Sequence, residues 1–336
     1  MSRQLIGVDV GGTKLSVAAL EDGTIGATQL RPTATASANA LIDEVVDAVE
    51  AVRAPEAVAV GVGVPSVVEF ATGRVKSSVN LQLADVPLRT ALEERLGVPV
   101  FVDNDATCAA LAEAHDGARM VASDLVMFTI GTGVGGGLVL GGRVYRGATG
   151  AAAELGHTLI GARLEEGAPP SGSFPQEGSL ESLASGRALD ALAEADAAAH
   201  PESALGAALA RGERVTGPDV LVAARAGDRR ARSLLQLLGE RLGVGIANAI
   251  NTFDPEVVVI GGGVATAGEL LLALARETAW RFVLPGIGER TEIRLARYGA
   301  DAGVRGAALL AGHELDAARE GTVTRESDRE TRSPPE

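Results

Sequence analysis

The chain is almost empty of the residues that build several common kinds of site. A single cysteine, Cys108, among 336 residues excludes an intrachain disulfide and any multi-thiolate metal centre held by one chain. Lysine occurs only as Lys14 and Lys76, and arginine nowhere gathers into the basic patch that a phosphate backbone demands. With a net charge of −14, the expectation is that nucleic acid is not a partner. No apolar run approaches the ~20 residues needed to span a bilayer, and MSRQLIGVDV carries no charged leader before an apolar segment. A cytoplasmic protein without a membrane partner is therefore expected. Aromatics make up only 3% of the chain, so its cores must be built from Val, Leu, Ile and Ala.

Glycine is abundant and patterned. Two glycine-rich turns lie far apart, Gly7-Val8-Asp9-Val10-Gly11-Gly12-Thr13-Lys14 and Gly131-Thr132-Gly133-Val134-Gly135-Gly136-Gly137. Each is flanked by apolar stretches that alternate as strands do, LIGVDV into KLSVAAL and LVMFTIG into GGLVLGG, so each reads as a tight hairpin whose bare backbone can approach an anion. Paired turns of this kind point to a nucleotide held between two related domains.

The length predicts two domains. The first half reads as a strand at 4–10, a return at 14–20, a third strand near 24–30, a helix from Ser37 to Arg53, a buried strand from Ala57 to Val62, a helix near Leu88 to Leu96, a strand from Val98 to Val102 and a helix opening at Asp105. From Leu125 the order begins again, with a hairpin through Gly141-Gly142, helices to Asn251, a strand from Glu256 to Ile260, the turn Gly261-Gly262-Gly263 and a helix to Phe282. The predicted division is a first domain over 1–117, joined by a helix at about 301–316, a larger second domain over 118–300, and a disordered polar tail from Ala317 to Glu336.

Two familiar motifs fail on context. Gly131, Gly133 and Gly136 match a dinucleotide fingerprint, but a strand follows where that fingerprint needs a helix. The segment Gly7 to Lys14 falls near the P-loop spacing, but Thr13 intervenes and the next residues again alternate as a strand. What remains is D-x-G-G-T-K at 9–14. A carboxylate on a strand edge can hold hydrated magnesium, turn amides can bond phosphate oxygens, and Thr13 and Lys14 add a hydroxyl and a cation. A simple Gly-Gly hairpin would look the same in isolation; its echo at 131–137 favours the phosphate reading. Asn104-Asp105 sits where a strand meets a helix, and by itself Asp105 reads equally as a carboxylate favoured at a helix N-terminus.

Taken together, D-x-G-G-T-K at 9–14, N-D-A at 104–106, G-T-G-x-G-G-G at 131–137, E-x-G-H at 154–157 and DPEVVVIGGGV from Asp254 to Val264 resemble the ROK family of sugar kinases and regulators, within the actin-like ATPase superfamily. The resemblance implies an α/β, two-domain actin-like (ribonuclease H-like) fold, with duplicated mixed sheets flanked by helices and a cleft between. It implies Asp105 as catalytic base, and Asn80, Asn104, Asp105, Glu154, His157 and Glu181 on sugar hydroxyls. It further implies Asp9, Gly11, Gly12, Thr13, Lys14, Gly131, Thr132, Gly133, Gly261, Gly262 and Gly263 around the nucleotide and its phosphates, with Asp9 holding magnesium through water. The implied cofactors are ATP and magnesium, the implied substrate is a hexose, and the implied assembly is a homodimer or larger.

One departure stands out. Where similar proteins carry C-x-C-G-x-x-G-C-x-E and hold a structural zinc, residues 161–177 contain no cysteine, and Ser179 occupies the last cysteine position. No zinc is expected, and the loop is expected to be held by proline stiffness and local packing. The leading expectation is a glucokinase acting on the sugar 6-hydroxyl. Fructose, mannose, allose or an N-acetylhexosamine as acceptor, polyphosphate as donor, and a non-catalytic sugar sensor stay open. A helix-turn-helix regulator is disfavoured, because the first glycine motif begins within the first ten residues.

Overall fold

The alternation read in LIGVDV and KLSVAAL becomes the hairpin β1 (Gln4–Val10) and β2 (Lys14–Glu21), and β3 (Thr24–Ile25) and β4 (Gln29–Pro32) both pair with β2. On the other side of β1 lie β5 (Ala57–Val64) and then β8 (Val100–Asn104), both parallel to it, giving the order β3-β2-β1-β5-β8. Between them in sequence, β6 (Ser66–Glu69) and β7 (Arg74–Ser78) form a small hairpin, and β9 (His115–Asp116) pairs with β10 (Arg119–Met120). These coordinates are a computed structural model describing residues 3–78, 81–162, 167–168 and 172–330, the last stretch by backbone alone from 320.

One face of this sheet presents Ile6, Val8, Val10, Leu15 and Val17 to helices α1 (Ala38–Val52) and α2 (Leu88–Leu96), through Leu41, Val45, Val49, Leu88 and Leu92. Ser37 caps α1 by accepting from the Ala40 amide at 3.1 Å. The opposite face carries α3 (Asp105–Glu113) and the C-terminal helix (Ala302–Glu330). Gly7 and Gly61 are paired across β1 and β5, and a Cβ on either would fall 1.9 Å from the Val304 carbonyl or 1.8 Å from the Ala307 carbonyl. Only glycine at these two positions lets the helix backbone lie directly on the strands.

Two units emerge from the contacts, Met1–Val121 with Arg146–Ala152 and Ala300–Glu336, and Ala122–Tyr145 with Ala153–Gly299. The first unit thus also takes in Arg146–Ala152, a segment that the sequence division assigned to the second domain; the guanidinium of Arg146 on the buried carboxylate of Asp103 holds it there. The C-terminal helix, expected over about 301–316, runs on to Glu330, and 331–336 lie outside the described residues. Its Ala, Arg and Glu residues favour helix, and no proline interrupts the chain before Pro334.

The second unit repeats the sheet plan: β11 (Leu125–Ile130) and β12 (Val134–Leu140) form a hairpin extended by β13 (Arg143–Val144), with β14 (Val257–Gly261) and β15 (Glu292–Leu295) parallel on the other side. Helices α4 (Leu180–Ala184), α5 (Gly186–Ala199), α6 (Ala204–Ala210), α7 (Gly217–Arg225), α8 (Arg229–Phe253) and α9 (Glu269–Phe282) supply the rest. Phe128, Leu242, Ile246 and Leu271 are among the residues of its core, which is as poor in aromatics as the composition predicts. Among the described residues no helix is long and apolar enough to cross a membrane.

Candidate active site

In a sheet with parallel strands, ligands gather beyond the carboxyl ends of those strands. In the first unit, Asp9 near the end of β1 pairs with Gly63 of β5, Gly63 pairs with Asp103 of β8, and Asp105 follows as the first residue of α3. A Cβ on Gly63 would sit 3.4 Å from Asp105 Cα and 3.7 Å from Asp9 Oδ1, so this glycine opens the space where the two carboxyl-bearing residues converge. Burial is the main reason that both carboxyl groups are pushed up. Asp9 rises to about 7 through burial and then the nearby charge of Asp105, with Lys14 pulling it back. Asp105 is raised by burial against the opposing pull of the Ala106 amide, which donates to its Oδ1 at 2.8 Å.

Asn104 is the N-cap of α3. Its Oδ1 accepts from the amides of Ala106 at 2.9 Å and Thr107 at 3.2 Å, while Nδ2 donates to the Ser66 carbonyl at 3.4 Å. The cap therefore fixes the strand-to-helix corner from which Asp105 projects. At the tip of the β1–β2 hairpin, the Gly11 amide donates to the Lys14 carbonyl at 2.9 Å, and Thr33 Oγ1 donates to the Gly11 carbonyl at 2.8 Å. Gly12, Thr13 and Lys14 are left exposed. Asn80 lies outside the described residues.

The second unit carries the matching turn, and here the bracing is different. The Gly131 amide donates to the Gly133 carbonyl at 2.9 Å, the Gly186 amide donates to the Gly131 carbonyl at 2.7 Å, and the Val134 amide donates to Glu181 Oε2 at 2.8 Å. Glu181, expected on a sugar hydroxyl, thus has its carboxylate on the glycine turn, with Arg187 Nη2 3.4 Å from its other oxygen. Beside the turn opens a cavity of about 580 Å³, within the size range of small-molecule sites. Three of the predicted nucleotide residues, Gly131, Thr132 and Gly263, line it.

The rest of that lining escaped the sequence reading. It comes from the start of α5 (Gly186, Arg187, Leu189, Asp190), the start of α7 (Gly217, Pro218, Leu221), and Val264 and Thr266. A signal was present in Ser185-Gly186 and in the capping box Thr216 to Asp219, each announcing a helix N-terminus whose partial positive charge suits an anionic ligand.

Glu154 precedes and His157 ends a single 3₁₀ turn, Leu155–His157, with Oε2 and Nε2 3.8 Å apart. The His157 ring meets Phe174 edge-on at 5.3 Å, and its Nδ1 is buried without a partner. Below them, the Ile160 and Gly161 amides both donate to the Gly178 carbonyl, and the Leu180 amide donates to the Thr158 carbonyl, closing the neck of the cysteine-free loop by backbone bonds. Residues 163–166 and 169–171 of that loop lie outside the described residues. Among the described residues, no group of three or more His, Cys, Asp or Glu side chains could hold a metal ion.

A sequence model of the ROK family matches residues 5–314. The chain is 36% identical over 330 residues to the glucokinase of Halalkalibacterium halodurans, covering 96% of this chain and 99% of the relative. It is 33% identical over 316 residues to the N-acetyl-D-glucosamine kinase of Pasteurella multocida, covering 90% and 98%. Among solved structures, a ROK family glucokinase from Streptomyces griseus, in complex with glucose and AMPPNP, superposes with a TM-score of 0.76 at 34% identity, over 92% of this chain and 99% of that one.

Proposed function

The chain belongs to the ROK family and shares its actin-like α/β fold, and we propose that it is an ATP-dependent hexose kinase, a glucokinase, in which Asp105 is the general base for transfer of the terminal phosphate to the sugar 6-hydroxyl. The observation that carries this reading is the convergence of Asp105 and Asp9, both half-buried, on Gly63 at the carboxyl ends of the parallel strands, beside a turn whose Gly12, Thr13 and Lys14 are exposed. Likeness to a glucokinase over nearly the whole of both chains supports it.

A hexose hydroxyl is a weak nucleophile at neutral pH. Asp105, whose carboxyl pKa is raised by burial, accepts its proton as the oxygen attacks, a contribution on the order of 10²–10⁴ in rate. Exposed Thr13 and Lys14, with the Gly12 amide, neutralise charge on the transferring phosphoryl group, and Gly131 and Thr132 hold the remaining phosphates over the cavity that takes adenosine. Asn104, Glu154 and His157 are assigned to the sugar hydroxyls, where acceptors and two-way donors suit vicinal diols. Asp9 suits magnesium, since a cation relieves the repulsion from Asp105 that helps raise it; with no three-residue cluster among the described residues, the ion would keep most of its waters. Magnesium supplies charge neutralisation on the phosphates.

The test is an ADP-release assay with ATP over glucose, mannose, fructose, allose and N-acetylhexosamines, followed by a sugar-phosphate assay with polyphosphate as donor, which releases no ADP. Sugar-dependent ADP release, highest with glucose, is expected. Absence of release with every sugar would overturn the reading, and a preference for N-acetylglucosamine would move it toward the Pasteurella relative.

A further inference from the structure

Arg146 belongs to none of the motifs above, yet it reaches the corner that carries Asp105. The chain leaves the second unit at Tyr145 and contributes Arg146–Ala152 to the first before returning at Ala153. The Ala152 amide donates to the Arg146 carbonyl at 3.0 Å and closes this segment on itself. The Arg146 side chain, 18% exposed, donates from Nε to Asp103 Oδ2 at 2.6 Å and from Nη2 to Glu314 Oε1 at 2.8 Å, with its guanidinium 3.5 Å from the centre of the Phe70 ring. Asp103 in turn accepts from the Asn104 amide at 2.9 Å through Oδ1. Arg89 flanks the same ring but donates to the carbonyls of Phe70 and Ala71, so it does not stand in for Arg146.

We propose that Arg146 is a positioning residue for phosphoryl transfer: gripped between Glu314 and Phe70, it holds the buried Asp103 carboxylate, and through it the Asn104–Asp105 corner that aims the base. A carboxylate at 103 that loses its guanidinium is a buried unpaired charge, which must either take up a proton or turn away. Either change alters the acceptor for the Asn104 amide and tilts the cap of α3, and a shift of ~1 Å at a reacting group can cost ~10² in rate. Lysine keeps the charge but not the planar fork that spans Asp103 and Glu314 together.

This inference rests on the kinase reading, so the full-length chain is assayed first. If the wild type releases no ADP with any sugar, the kinase reading falls and this one with it. With an active wild type, Arg146→Met is expected to lower kcat ~30–100-fold while the KM for sugar and ATP and the calorimetric Kd for sugar stay within ~3-fold, and Arg146→Lys to lose ~3–10-fold in kcat. Adding Asp103→Asn to Arg146→Met should cost little more, because both act through one contact. A merely structural salt bridge predicts a lower melting temperature with kcat preserved well below it. If Arg146→Met is folded and keeps kcat within two-fold, or loses only KM, the proposal is wrong; if it does not fold, Arg146→Lys with unchanged kcat overturns it equally.

Discussion

The two glycine turns occupy equivalent places in the two sheets, and what differs is the chemistry placed beside them. In the first unit the strand before the turn ends with Asp9 paired to Gly63; in the second the same register pairs Thr129 with Gly261. A Cβ on Gly303, at the start of the C-terminal helix, would sit 2.4 Å from Asp9 Oδ2, and one on Gly63 would sit 3.4 Å from Asp105 Cα. The second unit puts no carboxylate at that register. Its turn is braced from below by Glu181 and opens onto a cavity walled by helix N-termini. One architecture thus carries carboxylates beside its first turn and bare backbone beside its second.

Removing charge from the first unit should produce the largest effect. Asp105→Asn keeps the shape of the corner and loses the base, so kcat should fall on the order of 10²–10⁴-fold with sugar affinity retained, as read by steady-state kinetics and calorimetry. Near-normal turnover would make the base assignment wrong.

Asp9→Asn should be nearly as damaging to turnover, by about 10², while it stabilises the fold. The Asp9 carboxyl stands at about 7 in the folded chain against its ordinary 3.8, so between those pH values the folded state holds a proton that the unfolded state has lost. Stability therefore falls as pH climbs from about 4 to about 7 and levels off above, a loss on the order of 4 kcal/mol at ~1.4 kcal/mol per pH unit. In metal-free buffer, Asp9→Asn should melt several degrees above wild type at pH 8 and converge with it near pH 4. Equal melting at both pH values would show that the Asp9 carboxyl is not raised in the folded chain.

In the second unit, Gly133→Ala puts a Cβ 2.4 Å from Glu181 Oε2, so the brace on the Val134 amide must give way. An ATP KM higher by ~10-fold with kcat within ~3-fold is expected, the signature of lost uniform binding. Gly131→Ala meets no protein atom within 4 Å, so its melting temperature should hold and any kinetic effect reports a ligand against the turn. Smallest and furthest from the chemistry, Ser37→Ala removes the cap of α1 and should cost ~1 kcal/mol in chemical denaturation without changing kcat.

Much of this comparison is legible in the sequence because local rules specify it. Strand alternation around two glycine pairs predicts both hairpins, Ser37 announces α1, and Asn104-Asp105 announces a capped helix on a buried strand. Pairs far apart in sequence left no such trace. Arg146 reads as one more strand-end arginine until Asp103 is beside it, and Glu181 follows a family pattern while its carboxylate in this fold sits on a turn 47 residues away. The cavity walls were missed for a related reason: Gly186 and Gly217 are ordinary helix starts alone, and become a site only when packing brings both N-termini to Gly131 and Gly263.

The most direct test measures kcat and ATP KM for Asp105→Asn and Gly133→Ala side by side with the wild type. The account predicts that the first loses kcat with ATP KM nearly unchanged and the second loses ATP KM with kcat nearly unchanged. The reverse pattern, or both variants losing the same parameter, would contradict it.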